Sequence, residues 1–460
     1  MKTYDAIIIG SGQAGTPLAK KMAKTGKKTA IIEKRLIGGT CVNDGCTPTK
    51  ALIASARNAF MAMRTDLGVI TTDFKVDFPA VMKRKDEIIE HSRSGSQKGL
   101  EETENLDLIF GDASFIDKKT LKIKLNAGGE EEITADLIFI DTGATATVPK
   151  IEGLDQVDYL TNTSILELKE LPESLIIIGG NYIGLEFGQM FLRFGSKVTL
   201  LEKGERIMSR EDEDVSKCVT EFLTEEGMSI ITSAETQKIE KTVNGVTLTI
   251  KTETGEQQIT ASKILIAIGR TPQTKTLGLE NTDVEVDEKG YIKVNDKLET
   301  TAKGIFALGD VKPGPAFTHI AYNDHLIVLK NLTEGADLSI KGRPVPYCMF
   351  TDPQLGRIGL SEQEAREQGL DILVAHLPMA RAGRARESSE TKGFMKAVVD
   401  AKTNQILGAT VLGYEGGEIM SVLQIAMQGK ITAQELRENI FAHPTLSESI
   451  NNLFMSIEEA

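Results

Sequence analysis

The chain has 460 residues, 40% of them hydrophobic and 26% charged, which is the composition of a globular protein with roughly two to four domains. Its net charge of −13 argues against nucleic acid and anionic membranes as partners. The longest apolar runs fall far short of the roughly 20 residues of a membrane span, and the first of them is too short for a secretory signal. We therefore predict a cytoplasmic protein.

The N-terminal segment has the pattern of a strand, a glycine loop, a helix and a second strand. The apolar stretch "YDAIIIG" runs into "GSGQAG", which supplies Gly10, Gly12 and Gly15; a helix is predicted as far as Lys24, and the second strand ends at Glu33. In such a unit the glycines allow a tight turn and the close approach of a pyrophosphate to the helix N-terminus, and the acidic residue accepts hydrogen bonds from a ribose. The pattern predicts a dinucleotide site.

Two of the four cysteines follow at once, in the stretch "GGTCVNDGCTPTK" at residues 38–50. Cys41 and Cys46 could be core residues, metal ligands, a structural disulfide or a redox couple. The chain has no second cysteine pair and no spaced histidines to complete a metal site, so none is predicted. A static disulfide is unusual in a reducing cytosol, where a catalytic one is expected. The pair is therefore predicted to be redox-active, whereas Cys218 and Cys348 are predicted to be small buried side chains.

The strand, glycine loop, helix and strand recur in "ESLIIIGGNYIGLEFGQMFLRFGSKVTLLEKGER". This copy has Gly179, Gly180 and Gly184 in its loop and Glu202 after its second strand, and the first glycine and the glutamate are 23 positions apart in both copies. Two matched units predict two dinucleotide sites. Asn181 occupies the middle glycine position, where its tolerance of positive φ leads us to expect that the turn survives.

Each unit has a later strand that ends in a glycine turn, "DLIFIDTGA" with Gly143 and "KILIAIGRTP" with Gly269. The distance from the first loop glycine to this turn is 133 residues in the first unit and 90 in the second. The excess in the first unit contains the two cysteines. The thiols are therefore expected near the first nucleotide and away from the second.

The motifs in this order resemble the flavoprotein disulfide reductases, the family of dihydrolipoyl dehydrogenase, glutathione reductase and mercuric reductase. The matching stretches are "GSGQAG" with its glutamate, "GGTCVNDGCTPTK", "GGNYIGLEFG", "AIGRTP", "TTAKGIFALGD" and "FAHPTLSES". The resemblance implies an α/β chain with two Rossmann-like domains and a C-terminal α+β dimerisation domain. The implied ranges are an FAD-binding domain (1–150, resumed at 276–340), an NAD(P)H-binding domain (151–275) and a dimer-interface domain (341–460).

By this resemblance the first nucleotide is FAD, bound by the first glycine loop with Gly39, Thr40, Lys50, Gly143 and the ribityl ligand Asp310. The second nucleotide is NADH or NADPH. A carboxylate at the end of the second strand repels a 2′-phosphate, so Glu202 predicts NADH as the reductant. Lys203 and Arg206 follow closely and leave NADPH as the alternative.

The family also implies a division of labour in the active site. Cys46 would face the flavin and Cys41 would be the interchange thiol that meets the substrate. Lys50 would lie near the flavin and pair with Glu186, and Tyr182 would gate the nicotinamide side. Taken alone, the last three residues have plainer explanations, as a surface cation, a capping charge and a core ring; their joint fit to the motif favours the functional one.

His443 and Glu448 are five residues apart in "HPTLSE", close enough for the carboxylate to orient the imidazole. By resemblance this pair is the acid–base dyad of the partner subunit's active site, which implies a homodimer with two-fold symmetry. The bond between His443 and Pro444 is expected to be cis, as is usual in the family.

Three features bear on the thiols and the flavin site. Helix-terminal N–H groups and Lys50 are expected to favour thiolate at Cys41 and Cys46. Asp44, where the family has a small or apolar residue, is expected to raise the thiol pKa values and discourage anionic acceptors. Asp141 replaces the alanine that is usual in "IDTGA".

The electron acceptor is the least constrained prediction. The chain starts at the flavin motif, ends without cysteines and keeps His443, which argues against efficient Hg(II) reduction. Its tail and the stretch "FTDPQLGRIGLSEQEAREQG" resemble the mercuric-reductase-like subgroup that includes the reactive-chlorine-resistance oxidoreductase, which favours a small oxidant or a metal ion as the substrate. The alternatives are a dihydrolipoyl dehydrogenase, an NAD(P)H oxidase or diaphorase with idle cysteines, and an FAD-binding scaffold without activity.

Overall fold

The computed structural model describes residues 1–458. Within them lie twenty β-strands, which in chain order are β1 (Lys2–Ile9), β2 (Thr29–Glu33), β3 (Leu106–Asp117), β4 (Thr120–Leu125), β5 (Glu130–Ile140), β6 (Ala144–Ala146), β7 (Ser174–Ile178), β8 (Lys197–Leu201), β9 (Ser229–Ile231), β10 (Glu235–Thr242), β11 (Gly245–Thr252), β12 (Gly255–Ala261), β13 (Lys263–Ile266), β14 (Arg270–Pro272), β15 (Ile305–Ala307), β16 (Tyr347–Met349), β17 (Gln354–Gly359), β18 (Ile372–Pro378), β19 (Phe394–Asp400) and β20 (Ile406–Gly413).

The same residues form twelve α-helices. In chain order these are α1 (Gly15–Lys24), α2 (Gly39–Asn43), α3 (Cys46–Met63), α4 (Phe78–Glu101), α5 (Tyr182–Phe194), α6 (Glu213–Glu225), α7 (Thr318–Thr333), α8 (Glu362–Glu367), α9 (Gly383–Glu387), α10 (Gly416–Gln428), α11 (Ala433–Glu438) and α12 (Ser449–Met455). None of the helices in the described part of the chain has the length and apolarity that a membrane crossing requires.

The chain divides into two compact units, each built from three segments. Unit 1 consists of Met1–Ala51, Met82–Thr147 and Gly269–Arg343, and unit 2 of Leu52–Val81, Val148–Ile268 and Pro344–Ala460. The structure therefore groups residues 52–81 with unit 2, whereas the sequence-based ranges group them with the first domain. The assignment of nucleotides to the ranges stays a prediction.

Unit 1 is built on a parallel sheet in the order β3-β2-β1-β5-β15, and β4 pairs antiparallel with both β3 and β5. Strand β2 is buried throughout and β1 is buried from Ala6 onward, as expected for a parallel sheet that is covered on both faces. Helix α1 turns Leu18 and Met22 into the core on one side of this sheet. The carboxyl ends of β1, β2, β5 and β15 thus meet at one edge, which is where ligands bind in such sheets.

Unit 2 repeats the plan with a four-stranded parallel sheet, β13-β7-β8-β9, beside an antiparallel sheet of β10, β11 and β12. The stretch from β16 to β20 adds a five-stranded antiparallel sheet in the order β16-β17-β20-β19-β18. One face of that sheet packs against α10 and α12. The predicted fold class, two Rossmann-like folds and a C-terminal α+β domain, is confirmed.

Candidate active site

The first glycine loop joins β1 to α1, and three of its contacts leave no room for a side chain. A Cβ at Gly10, whose φ is +104°, would lie 2.3 Å from the Asp141 carbonyl oxygen, and one at Gly15 would lie 2.1 Å from the Gly10 carbonyl oxygen. A Cβ at Gly39 would lie 2.8 Å from the Cα of Gly12. The backbone of the loop is thus packed tightly on both sides, with the N-terminus of α1 at its edge. The residues fit a bound dinucleotide pyrophosphate in this place.

Glu33, the predicted ribose ligand, is buried at the end of β2. Its Oε2 accepts hydrogen bonds from the amide and the hydroxyl of Ser11, at 3.0 and 2.7 Å, and its Oε1 accepts one from the Arg35 amide at 2.8 Å. The carboxylate therefore fixes the glycine loop to the end of the strand. Its contact with a ribose stays a prediction.

Asp141 follows β5 directly and reaches into the same loop. Its Oδ2 accepts a hydrogen bond from the Gly15 amide at 2.7 Å, which is the first amide of α1. Burial raises the pKa of the carboxyl well above its ordinary value, and the charges of Asp310, Asp324 and Glu33 raise it further; the bond from Gly15 acts in the opposite direction. The structure thus places an acid of unusual pKa inside the predicted FAD site.

The return segment "ALGDVK" brings Asp310 to this edge after β15. The Arg270 guanidinium pairs with the Asp310 carboxylate at 2.8 Å. Behind it lies Asp324, fully buried, which accepts from the Gly309 amide at 2.9 Å and pairs with Lys312 at 3.1 Å and with Arg343 at 2.6 Å. Two cations on one buried carboxylate offset its desolvation, so the ion pairs hold the Asp310 turn in position.

The two predicted redox cysteines lie in adjacent short segments of unit 1, Cys41 in α2 and Cys46 as the first residue of α3. The Cys46 sulfur lies 3.3 Å from the hydroxyl of Thr318, the first residue of α7. The pKa of Cys41 is raised, first by its hydrogen bond with Cys46, then by burial and by the negative charge that Cys46 can carry; Thr318 and Lys50 lower it. Lys50 lowers the pKa of Cys41, in the expected direction, but the effect of the Cys46 sulfur, which raises this pKa, is larger.

Asp44, between the cysteines, pairs with the guanidinium of Arg35 and is buried. The sequence led us to expect an unbalanced negative charge beside the thiols. Because the arginine compensates that charge, repulsion of anionic acceptors by Asp44 is weaker than the sequence suggested.

The second glycine loop joins β7 to α5 with nearly the same backbone contacts as the first. A Cβ at Gly179, whose φ is +117°, would lie 2.4 Å from the Ala267 carbonyl oxygen, and one at Gly184 would lie 2.1 Å from the Gly179 carbonyl oxygen. Asn181 does not use a positive φ: its backbone is extended, with φ −112°, and its side chain accepts from the Tyr182 amide as the N-cap of α5. The turn survives as expected, but the reason is capping and not tolerance of the left-handed region.

Glu202 mirrors Glu33 at the end of β8. Its Oε2 accepts from the Gly180 amide at 2.8 Å and its Oε1 from the Gly204 amide at 2.7 Å. Lys203, one of the two cations that could accept a 2′-phosphate, pairs with Glu235 on the surface at 2.7 Å.

The other cation near Glu202 is Arg206, and it too has partners within the same turn. Its guanidinium donates to the carbonyl oxygens of Glu211 at 2.8 Å and Ser209 at 3.1 Å. Both cations are therefore engaged in bonds of their own in unit 2.

Tyr182, the predicted gate, is the first residue of α5 and is held by a buried charge network. Its hydroxyl donates to Glu211, as does the hydroxyl of Tyr347 at 2.7 Å, and the two rings lie 5.6 Å apart between centroids. Glu211 is 1% exposed and pairs with Arg357 at 2.9 Å. Burial, and after it the charge of Glu211, raises the Tyr182 pKa, so the ring is a neutral donor.

Glu186 lies one turn further along α5, where it is buried and accepts from the Phe350 amide at 2.8 Å. Lys50 is the fifth residue of α3 and belongs to unit 1, whereas Glu186 belongs to unit 2. Their pairing stays a prediction.

His443 and Glu448 form the predicted pair. The imidazole Nδ1 lies 2.9 Å from Glu448 Oε2 and 3.1 Å from Oε1, and the side chain of His443 is 78% exposed. Held by the carboxylate on one nitrogen, the ring presents the other to the surroundings. The peptide bond between His443 and Pro444 is cis, which confirms that expectation.

Several residues of these sites could not be predicted from the sequence, above all Thr318, Arg270 and the partners of Tyr182. Glu211 lies in "SREDEDV", a charge run that is typical of a solvated surface, and nothing in the sequence shows that it is buried. Its partner Arg357 is 146 positions away. Only the folded chain brings such residues together. Within residues 1–458, no group of three or more His, Cys, Asp and Glu side chains is arranged to hold a metal ion.

Comparison with known proteins identifies the family. Residues 4–324 match the pyridine nucleotide-disulphide oxidoreductase family, and residues 345–454 match the dimerisation domain of that family. The probable pyridine nucleotide-disulfide oxidoreductase RclA of Escherichia coli is 38% identical over the whole of both chains. A mercuric reductase of Staphylococcus aureus is 37% identical over 97% of this chain and 81% of its own length.

A dihydrolipoyl dehydrogenase of Bacillus subtilis is 33% identical over 96% of this chain and 94% of its own length. Among solved structures, the Cu(II) complex of the HOCl-induced flavoprotein disulfide reductase RclA from Escherichia coli superposes with a TM-score of 0.91, at 38% identity over 99% of both chains. The chain therefore belongs to the pyridine nucleotide-disulphide oxidoreductases, and it is a flavoprotein disulfide reductase of the family that works with FAD and a pyridine nucleotide.

Proposed function

We propose that the protein reduces a small electrophilic oxidant, of the reactive-chlorine or hypothiocyanite type, or a metal ion such as Cu(II), with electrons from NADH. The observation that carries the proposal is the Cys41–Cys46 pair, which lies next to Thr318 of α7 in the unit with the first glycine loop. Bound FAD would supply the two-electron relay between the nicotinamide and this pair. The high similarity to RclA, a protein described as HOCl-induced and solved with Cu(II), favours such substrates.

The residues of unit 1 divide the work between the two sulfurs. Cys46 is the first residue of α3, and a helix N-terminus favours a negative charge on such a residue. Cys41 keeps its proton more strongly, since its pKa is raised by the neighbouring Cys46. Cys41 therefore needs a base before it can attack a substrate, and Cys46 is proposed, by resemblance to the family, as the sulfur that faces the flavin.

The reaction with a small oxidant needs no further cofactor. The Cys41 thiolate attacks the electrophilic atom, forms a covalent adduct and expels the leaving group; Cys46 then attacks the Cys41 sulfur, forms the disulfide and releases the reduced product. Two electrons pass from the dithiol to the oxidant in each cycle. For Cu(II), which takes one electron, two ions are reduced per disulfide formed.

We assign the base for Cys41 to His443 of the partner subunit, oriented by Glu448. The His443 side chain is exposed, and Ile440, three residues before it, is 95% exposed in the domain that matches a dimerisation domain. An apolar side chain so exposed beside a catalytic histidine fits an isologous interface between two copies. The functional unit is therefore a homodimer with two mixed active sites.

Mixed dimers test this assignment. Cys41→Ser and His443→Gln subunits, each inactive alone, should recover activity when they are combined, because one of the two sites then has both wild-type residues. His91→Gln, an exposed histidine on α4, serves as the control that should stay fully active. Failure of the mixture to recover any activity, with dimer exchange verified, would contradict the shared site.

NADH is the proposed reductant because Glu202 directly follows β8 and both neighbouring cations have partners within unit 2. Tyr182 is proposed as the gate on the nicotinamide side, with Glu211 holding its hydroxyl. A kcat/KM for NADPH above that for NADH would overturn the first assignment and leave the dithiol chemistry unaffected.

Dihydrolipoyl dehydrogenase activity is the second candidate, since such an enzyme is 33% identical over 96% of this chain. Purified protein should be assayed with lipoamide, dihydrolipoamide, oxidised glutathione, hypothiocyanite, Cu(II) and Hg(II). We expect turnover of a small oxidant or Cu(II) and slow or no turnover of dihydrolipoamide. A kcat/KM for dihydrolipoamide far above that for every other substrate would show that the protein is a dihydrolipoyl dehydrogenase.

A further inference from the structure

Asp141 and Ala267 occupy equivalent places in the two nucleotide units. Asp141 follows β5 and Ala267 follows β13, the strands that pair in parallel with the strand before each loop, and each donates its amide to that strand: Asp141 to the Ile9 carbonyl and Ala267 to the Ile178 carbonyl, both at 2.8 Å. The carbonyl oxygen of each packs against the first glycine of its loop. An alanine can therefore make both backbone contacts, as Ala267 does in unit 2. The carboxyl group of Asp141 is an additional feature of unit 1.

The carboxyl lies between the parts of the chain that would surround the pyrophosphate. Its Oδ2 accepts from the Gly15 amide, and a Cβ at Gly12 would lie only 2.7 Å from the same oxygen. On the other side, a Cβ at Gly309 would lie 2.9 Å from Oδ1. Asp141 itself is only 7% exposed. The side chain is thus enclosed by the glycine loop and the return segment.

The charged groups that face Asp141 are mostly acidic. Glu33 comes from β2, Asp310 from the return segment and Asp324 from α7, and the charge of each disfavours ionisation of Asp141. Ser11 and the Arg35 amide donate to Glu33.

The cations of this region are already committed to other carboxylates. Arg270 pairs with Asp310, while Lys312 and Arg343 pair with Asp324. The helix N-terminus at Gly15 is the group that favours the charged form, and burial together with three neighbouring carboxylates outweighs it, so the pKa of Asp141 is raised.

We propose that Asp141 is a positioning residue of the FAD site that works as the neutral acid, and that its ionisation weakens FAD binding. A neutral carboxyl accepts from the Gly15 amide and offers an O–H donor as well, whereas a carboxylate offers acceptors alone and repels the anionic pyrophosphate. Binding of the anion favours the protonated form, and by linkage the affinity for FAD falls as pH rises.

The test measures FAD retention, not catalysis. Holoenzymes of the wild type, Asp141→Asn and Asp141→Ala are dialysed against dilute FAD over a series from mildly acidic to mildly alkaline pH, and bound flavin is measured by absorbance. We expect the wild-type Kd to rise with pH by up to about tenfold per unit between the pKa values of the free and the bound protein. The Asn variant, which is neutral at every pH, should give a flat profile and bind more tightly than the wild type at alkaline pH.

Asp112→Asn is the matched control, because Asp112 is an exposed carboxylate on β3 of the same unit. It should keep the wild-type slope. The proposal would be overturned if the Kd for FAD changed with pH in the same way in the wild type and in Asp141→Asn. It would also be overturned if Asp112→Asn flattened the dependence of Kd on pH as Asp141→Asn does.

Asp141→Ala serves as a second variant in case Asp141→Asn fails to fold, since alanine is the residue that unit 2 has at the equivalent position, Ala267. It should retain the fold and bind FAD without the pH dependence of the wild type. A pH slope that survives in Asp141→Ala would assign the effect to another group. None of these readouts involves the electron acceptor, so an error in the proposed substrate would leave them unchanged.

Discussion

The two glycine loops of this protein have almost the same architecture and different surroundings. In both, the first glycine packs against the carbonyl oxygen of the residue that follows a neighbouring strand, and a glutamate 23 positions later accepts from two backbone amides. The surroundings differ in three places: an asparagine replaces the middle glycine in unit 2, an aspartate replaces an alanine in unit 1, and the cysteine segment follows the glutamate only in unit 1. The shared contacts serve the fold, so the differences are where the two sites acquire distinct chemistry.

The largest difference between the units is the dithiol, and Cys46→Ser should therefore have the largest effect on turnover. Without Cys46 neither the disulfide nor the release of the product from Cys41 is possible, and we expect kcat for the oxidant to fall at least about a hundredfold. Steady-state assays measure the fall, and an anaerobic titration of the flavin should show two electrons taken up per flavin in place of four.

Cys218→Ser is the matched control for that loss, since Cys218 lies on α6 of unit 2 and is also a thiol. It should keep wild-type activity. If Cys46→Ser retained full turnover, the protein would be an oxidase or diaphorase whose cysteines are idle.

Gly12→Ala tests how closely the first loop is packed. The new Cβ would lie 2.7 Å from the Asp141 carboxyl oxygen, and overpacking of this kind costs about 1–3 kcal/mol. We expect a lower unfolding midpoint of the protein and weaker FAD retention. Adding Asp141→Ala should restore the midpoint, because the clashing atom is gone. A double variant as unstable as the single one would show that another contact limits this position.

If Glu202 faces the ribose of the nicotinamide nucleotide, as we propose, Glu202→Ala should shift the ratio of kcat/KM for NADPH to that for NADH. Removing a carboxylate from the ribose side relieves repulsion of a 2′-phosphate and deletes an acceptor for the 2′-OH, and we expect the ratio to rise about tenfold. The same change at Glu235, which only pairs with Lys203 on the surface, is the control. An unchanged ratio would mean that Glu202 does not face the ribose.

The features that could be predicted from the sequence are those that short stretches of the chain determine. The strand, loop and helix bounds of both repeats follow from apolar runs and glycine positions, and the structure confirms a helix as far as Lys24 and a strand that ends at Glu33. The pairing of His443 with Glu448 could be predicted for the same reason, since the two are five residues apart. Each of these predictions depends on contacts within about 25 residues.

The residues that were missed depend on contacts far apart in sequence. Asp324 and its partners Lys312 and Arg343 give no sign in the sequence that they are buried together. Asp141 was noticed only as a departure from a family pattern, and its bond to Gly15 joins residues 126 positions apart. The sequence led us to expect a lowered pKa at Cys41, whereas the structure raises it. The effect of the Cys46 sulfur depends on its distance from Cys41, and the spacing of the two cysteines in the sequence does not give that distance.

The smallest effect should come from Asn181→Gly, which gives the second loop the middle glycine of the first. The Asn181 backbone is extended, so glycine relieves no strain there, and the change only removes the side chain that caps α5 through the Tyr182 amide. Replacing an asparagine cap by glycine costs a few tenths of a kcal/mol, or about one degree or less in the unfolding midpoint of a chain this long. KM for NADH should stay within about twofold of the wild type. A large fall in KM would show instead that the pyrophosphate needs closer access to this loop, and that Asn181 had been limiting how well the second site binds its nucleotide.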